Sequence, residues 1–443
     1  MDIYTDGIML KNDLNRGIIL LLLFASVTII LAVPVTASAT TPATPAGITP
    51  LNQVKIASVY ERVSDGIVFS RSMDDVITIL NETNTSLIFR GFYRWEAVPE
   101  SSTSTMPGYS KDYVTNKYNQ GYTYQQLKDS IAQIKTARPD TIIVGGIAAQ
   151  RLNRIEFNDV THASYSQSQT WAMAFDPAKL HISNMDKTTA QCMYGHTLGF
   201  VSDNVKCPQG YNPETASAYF PDITNEQYQT LLLSYAQKQI DLGADAIWID
   251  CLYTQAVDVQ VLTKNPRHPG VKASYDAAAK IIDQIHEYGE KKYGKQIYVG
   301  TWTMFSGFPY PPPAVDFVVA RPSPLEIKTG LQDAYWDSFK KTVTNKVGNV
   351  PIYIFLDWDG SAGAPLGTFS QDLTPAEQNT FLQNADAFFT EKGMTFVYPV
   401  HGGRFPVDSP RLSFGEFPVY DSLAPEFGTY DTIKKLAQEK SVS

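Results

Sequence analysis

The stretch ADAIWIDCLY, residues 244–253, decides the fold. Period-two alternation puts Ala246, Trp248 and Asp250 on one face of a strand, and Ile247, Ile249 and Cys251 on the other. The second face is the apolar side that packs on helices, so Asp250 is expected to point into an interior. A helical pattern, NEQYQTLLLSYAQKQIDLG, precedes the run, and a second, SYDAAAKIIDQIHEYGEKKYG, follows it. Strand between helices is the mark of a βαβ unit and a parallel sheet.

Working outward, the same alternation recurs. Short β-rich runs lie at 54–61, 86–95, 141–149, 244–253, 296–303, 315–322, 351–358 and 394–401. Between them sit further helical patterns, YQQLKDSIAQIKTA, AYWDSFKKTVTNKV and PAEQNTFLQNADAFFTEKG, several ending at Gly. Eight such units joined by right-handed crossovers predict a closed α/β structure, a (β/α)8 TIM barrel, spanning residues 52–443. An open doubly wound sheet is the competing architecture, but no Gly-rich phosphate turn follows the first strand. Residues 150–222, between strands three and four, are too long for an ordinary connection and predict an insertion capping one side of the mouth. After strand eight, an aromatic and Pro-rich segment is expected to fold back over the same end, ahead of a last helix near residues 430–439.

The N-terminus is a different kind of sequence. Lys11 and Arg16 precede the apolar run GIILLLLFASVTIILAV, and Ala37-Ser38-Ala39 follows. This is the layout of a signal peptide over 1–39, with a retained membrane anchor as the alternative. Residues 40–51, rich in Thr, Pro and Ala, form a linker. The expected location is therefore secreted or cell surface, with membrane contact only through the N-terminal segment if it is not cleaved. In that setting Cys192 and Cys207, fifteen positions apart, are expected to form a disulfide, and Cys251 stands alone. Asn81 and Asn84 begin N-x-[ST] sequons in an expected surface turn, compatible with glycosylation.

Composition excludes some partners. Of 443 residues 43% are hydrophobic and 18% charged, as in a protein with a filled core. A net charge of −9, a pI near 5.2 and no Lys/Arg stripe argue against nucleic acid. Six His without paired ligand spacing give no reason to expect a metal, so no cofactor is expected.

Barrel enzymes place their chemistry at strand C-terminal ends. Asp250 ends the fourth run, and Asp357 and Asp359 end the seventh; Asp359-Gly360 is also a common turn pair. On the second run Arg90, Arg94 and Glu96 share one parity, and Arg90 is expected to pair with Asp357 or Asp250; Glu61 ends the first run. The candidate catalytic residues are Asp250, Asp357 and Glu96. The candidate substrate-binding residues are Arg90, Trp95, Tyr253, Trp302, Arg321, Asp359 and His401. Aromatic rings beside carboxylates suit sugars, whose C–H faces stack while hydroxyls bond to Asp, Glu and Arg. Two carboxylates flanking a glycosidic bond act as acid and nucleophile, or acid and base, according to their separation.

The stretch AYFPDITNEQYQTLLLSYAQKQIDLGADAIWIDCLY, 218–253, resembles the third-to-fourth-strand region of secreted barrel glycoside hydrolases of the alpha-amylase and alpha-galactosidase types. The resemblance implies a nucleophile at Asp250 and a poly- or oligosaccharide substrate. It also exposes a departure: the fifth strand ends in Thr301-Trp302-Thr303 and the sixth in Arg321-Pro322, where those families place an acid. Glu326, Asp357 and Glu96 are the available substitutes. A noncatalytic glycan-binding surface protein on the same barrel is the alternative, and a metal-dependent hydrolase a third.

Overall fold

The computed structural model describes residues 50–65, 68–202 and 204–442. The expected signal or anchor segment, and nearly all of the linker, lie outside these. Eight parallel strands, β1 (Ala57–Tyr60), β2 (Leu87–Arg94), β3 (Ile142–Ala148), β4 (Ala246–Asp250), β5 (Tyr298–Trp302), β6 (Phe317–Ala320), β7 (Ile352–Ile354) and β8 (Thr395–Arg404), pair in that order. The sheet closes where β1 pairs with β8, Ala57 opposite Val397. The architecture is the expected (β/α)8 barrel. A ninth strand, β9 (Val419–Asp421), runs antiparallel to the end of β8, so the segment after strand eight does return to the rim.

Two apolar layers hold the barrel together. The lumen is filled by Val59, Phe89, Val144, Trp248, Phe317, Tyr353 and Phe355, among others. The opposite parity of each strand faces the helices, as with Ile88, Ile143, Ile247, Val299 and Ile354. Burying a side chain of this kind contributes about 1.5–3 kcal/mol, which fixes strand register because a one-residue slip would exchange the two layers. Leu51 and Val54 close the floor, where the Tyr353 hydroxyl donates to the Leu51 carbonyl at 3.2 Å.

The helices follow their sequence patterns: Tyr124–Ala137, Glu226–Asp241, Pro269–Tyr293, Asp333–Val347 and Pro375–Glu391. Their starts are capped by side chains, as where Thr374 and Glu377 satisfy each other's backbone N–H groups. One connection departs from the pattern, since β5 reaches β6 through a short 3-10 turn, Thr303–Gly307, and irregular chain. Asn81 also departs from expectation. It sits in the last turn of helix Met73–Glu82, which runs on to its C-cap at Thr83, and accepts from Arg138.

The insertion is a small layer of its own. Leu152–Asn153 pairs with Ala218–Tyr219, Glu156–Phe157 pairs with Ser164–Tyr165, and helices Gln167–Met173 and Lys187–Thr197 pack over them. Cys192 and Cys207 are disulfide-bonded, as their spacing predicts. The layer is tied to the barrel by Arg94, whose guanidinium meets Glu156 at 2.8 Å and Asp159 at 3.2 Å in full burial.

Candidate functional site

The C-terminal rim of the barrel gathers polar groups around Asp250. Alternation along β4 carries Asp250 to the lumen side directly above Trp248. The chain then turns at Cys251, φ 56°, which swings this residue toward the rim and not onto the helix face that strict alternation predicted. Its thiol lies 3.3 Å from Asp250 Oδ1.

Both carboxylate oxygens of Asp250 are occupied by donors. Oδ2 accepts from the Tyr93 hydroxyl at 2.7 Å and from the Gln150 amide at 2.8 Å; Oδ1 accepts from the Trp302 indole N–H at 2.6 Å. Three elements supply them: β2, the first residues of the insertion, and β5. The indole N–H of Trp302 and the NH2 of Gln150 donate to it, an arrangement that suits a carboxylate acting as an electron-pair donor. Trp302 was among the residues expected at the site. Tyr93 and Gln150 were not, because their contribution depends on chain segments 100 and more residues from Asp250 meeting it in space.

The second strand shows why parity alone misplaces its arginines. Between Ile88 and Phe92 it gains two residues on β3, since Ile88 faces Ile143 but Phe92 faces Gly145. At this bulge Arg90 takes φ 63° and turns its guanidinium into the mouth, 3.7 Å from the centre of the Tyr93 ring and 4.9 Å from that of Trp358. Arg94 keeps the outward face and goes to the insertion. Arg90 does not pair with Asp250 or Asp357; its nearest carboxylate is Glu61, at 3.7 Å.

Asp357 lies beyond the end of β7, with φ 69°. One of its oxygens is paired with Arg321 and the other accepts the N–H of Trp358 at 2.7 Å. Arg321 in turn lies 5.8 Å from the Trp302 ring, so Asp250, Trp302, Arg321 and Asp357 form one contiguous group. Asp359 accepts from its own loop, at the Ser361 N–H, 2.8 Å away, which is the turn role its sequence also suggested.

On the insertion side of the rim, Trp95 stacks beside Tyr93 with centroids 6.0 Å apart. The Arg151 guanidinium sits 4.7 Å from Trp95 and 4.9 Å from Phe200. Glu96 is held at 2.5 Å by Lys117 and at 3.9 Å by Arg151. Burial works against its charge, but Lys117 and Arg151 outweigh it and hold the carboxyl below its ordinary value.

Two expected residues are not at the mouth. Tyr253 is fully buried in the helix layer, 5.0 Å from Tyr275 and 5.5 Å from Phe305 between ring centres, because it follows the Cys251 turn. His401 is clamped between Asp65 at 2.7 Å and Asp421 at 2.9 Å, beneath Phe69 and out of solvent. Burial alone would push its imidazole down, yet the two carboxylates outweigh it and raise it to about 9. Arg71 neutralises the remaining charge on Asp421, whose carboxyl is held low despite its burial.

Among the described residues, the one grouping with metal-ligand proximity is Cys192, His196 and Cys207, and its two sulfurs are consumed in the disulfide. That donor set does not fit a metal.

No protein-family model matches the chain, and no curated protein matches it. Among solved structures it is similar to Eubacterium rectale Amy13B, with a TM-score of 0.46 and 11% identity over 88% of this chain and 78% of that one. The ligand-free Cyclic alpha-maltosyl-(1-->6)-maltose hydrolase from Arthrobacter globiformis gives 0.44 and 11%, over 92% and 80%. A GH113 beta-1,4-mannanase gives 0.43 and 12%, over 87% and 98%. At these identities and scores the likeness concerns the course of the backbone, and the barrel rests on its own strand pairings.

Proposed function

We propose that this protein is an extracellular glycoside hydrolase acting on a poly- or oligosaccharide through paired carboxylates at the barrel mouth, with Asp250 as nucleophile or base. The observation that carries the reading is the set of donors from β2, β5 and the insertion that converge on Asp250 above Trp248. Such an arrangement holds a carboxylate in one orientation beside aromatic walls, which is what attack at an anomeric carbon requires. The apolar N-terminal segment, the disulfide and the two sequons support export, with glycosylation at Asn81 and Asn84, both exposed, as part of the same proposal.

The test is sugar release from a panel of alpha- and beta-linked glucans, mannans, galactans and N-acetylhexosamine polymers, wild type against Asp250→Asn. Hydrolysis by wild type that Asp250→Asn lowers by roughly a thousandfold or more supports the reading. Hydrolysis undiminished in the variant removes Asp250 from the chemistry.

A second reading, a noncatalytic glycan-binding protein, is favoured by the engagement of Asp357 with Arg321 and of Glu96 with Lys117. It expects glycan binding, seen as quenching of the mouth tryptophans, that is equal in wild type and Asp250→Asn, with no products from either.

A further inference from the structure

Strand β1 delivers to the rim a carboxylate with a setting unlike those of the other acids. Ala57 and Val59 face the lumen, and Glu61 follows on the same side just past the strand end. Its N–H donates to the His401 carbonyl at 3.0 Å, fixing the backbone against β8. Room for its side chain comes from Gly402: at φ 129° a Cβ there would stand 2.7 Å from Glu61 Cβ.

Glu61 is only 7% exposed, and its carboxylate is loosely held. Oε2 meets the Gly403 N–H at 3.4 Å and Arg90 Nη1 at 3.7 Å, and among the described residues no hydrogen bond reaches Oε1. Arg90 is 2% exposed, with Nε and Nη1 making no hydrogen bond. Its guanidinium lies over Tyr93, whose hydroxyl donates to Asp250. Glu61 and Asp250 therefore stand at the two ends of one chain of contacts, on strands that are not neighbours in the barrel.

The substitutes that the sequence offered for the missing acid are committed elsewhere. Asp357 is paired with Arg321 and Glu96 with Lys117, while Glu326 caps its own helix through Ser323 and accepts the Trp336 indole at 2.8 Å. Resting on the glycoside hydrolase reading, we propose that Glu61 is the second catalytic carboxylate, the proton donor to the departing sugar, and that Arg90 is its positioning residue. In the step, the Glu61 O–H bond breaks and its proton passes to the glycosidic oxygen. The C–O bond opens with its electron pair going to that oxygen, and Asp250 supplies a pair to the anomeric carbon directly or through water.

The experiment compares leaving groups on full-length protein. The probes are 2,4-dinitrophenyl and phenyl glycosides of glucose, galactose, mannose and N-acetylglucosamine in both anomers, with oligosaccharides of each. Glu61→Gln should lower kcat on the phenyl glycosides and oligosaccharides roughly a hundred- to ten-thousandfold. On the dinitrophenyl glycosides, which depart without a proton, it should stay within about tenfold. Equal losses on both, or no loss on either, overturn the assignment while leaving the hydrolase intact. No cleavage of any probe by wild type overturns the hydrolase reading itself, and this proposal with it. Glu61→Asp, which keeps the acid, checks for misfolding: it should recover part of the phenyl glycoside rate, and a rate no better than that of Glu61→Gln at equal thermal stability counts against the proposal. For Arg90, loss of the guanidinium in Arg90→Met should displace one limb of the kcat/KM pH profile and Arg90→Lys should return it; a change in melting temperature with an unmoved profile refutes the positioning role.

Discussion

Replacing Arg94 by Met tests how the insertion is fastened to the barrel. Arg94 is 2% exposed and meets two carboxylates, Glu156 and Asp159, that are 0% and 3% exposed. It also lies 3.8 Å from the centre of the Tyr235 ring. Met retains most of the volume but leaves both acids without their counter-charge. Each keeps some partners: Asn153 still donates to Glu156 at 3.0 Å, and Tyr124 still donates to Asp159. Removing one member of such a buried group costs about 3–5 kcal/mol, because the surviving charges remain desolvated. The cost should depend on pH. Burial pushes the Asp159 carboxyl up even with Arg94 beside it, and without Arg94 only the Tyr124 hydroxyl still opposes that push. A carboxyl raised in the folded state binds more protons folded than unfolded, so its share of stability falls as pH rises through the interval between the two values. Urea unfolding followed by circular dichroism should therefore show a larger loss near pH 8 than near pH 5, with early proteolysis inside residues 150–222. Converting the group as a whole, Arg94→Met with Glu156→Met and Asp159→Leu, should recover most of the loss. A loss below about 1 kcal/mol at both pH values would refute the reasoning.

Two further outcomes are expected. His401 is held at about 9, above its ordinary 6.5, so the stability it contributes is complete below about pH 6.5 and disappears as pH rises through 9, while the share of the lowered Asp421 disappears toward acid. His401→Gln should flatten the alkaline limb of melting temperature against pH, and an unchanged limb would show that Asp65, Asp421, Arg71 and Tyr60 do not act through the imidazole. In the sugar-release assay Tyr93→Phe removes one charge-assisted donor from Asp250, worth about 1.5–3 kcal/mol, so kcat/KM should fall roughly ten- to a hundredfold; a rate within twofold of wild type would mean the hydroxyl does not orient the carboxylate.

Local pattern carried a good deal of this protein. The alternation in ADAIWIDCLY placed Trp248 and Asp250 on the lumen side, as the packing of Trp248 and the partners of Asp250 bear out, because a side chain's face depends only on its neighbours along the strand. The count of eight runs led to closure, and the Cys192–Cys207 spacing to the disulfide. Arg90 and Tyr253 departed from that pattern where a local irregularity changed the direction of a side chain. The bulge in β2 sends Arg90 inward and leaves Arg94 outward, and the Cys251 turn takes Tyr253 into the helix layer.

By itself, then, the sequence determined the barrel, its order and the rim position of Asp250, since these follow from periodicity that repeats within each segment. Only the tertiary structure decided which groups meet there. Tyr93, Gln150 and Trp302 reach Asp250 from three separate segments, Arg321 takes Asp357, and His401 goes to Asp65 and Asp421. Pairing of charges and donors depends on distances of a few ångströms between strands far apart in the chain, and no spacing along the chain encodes those distances.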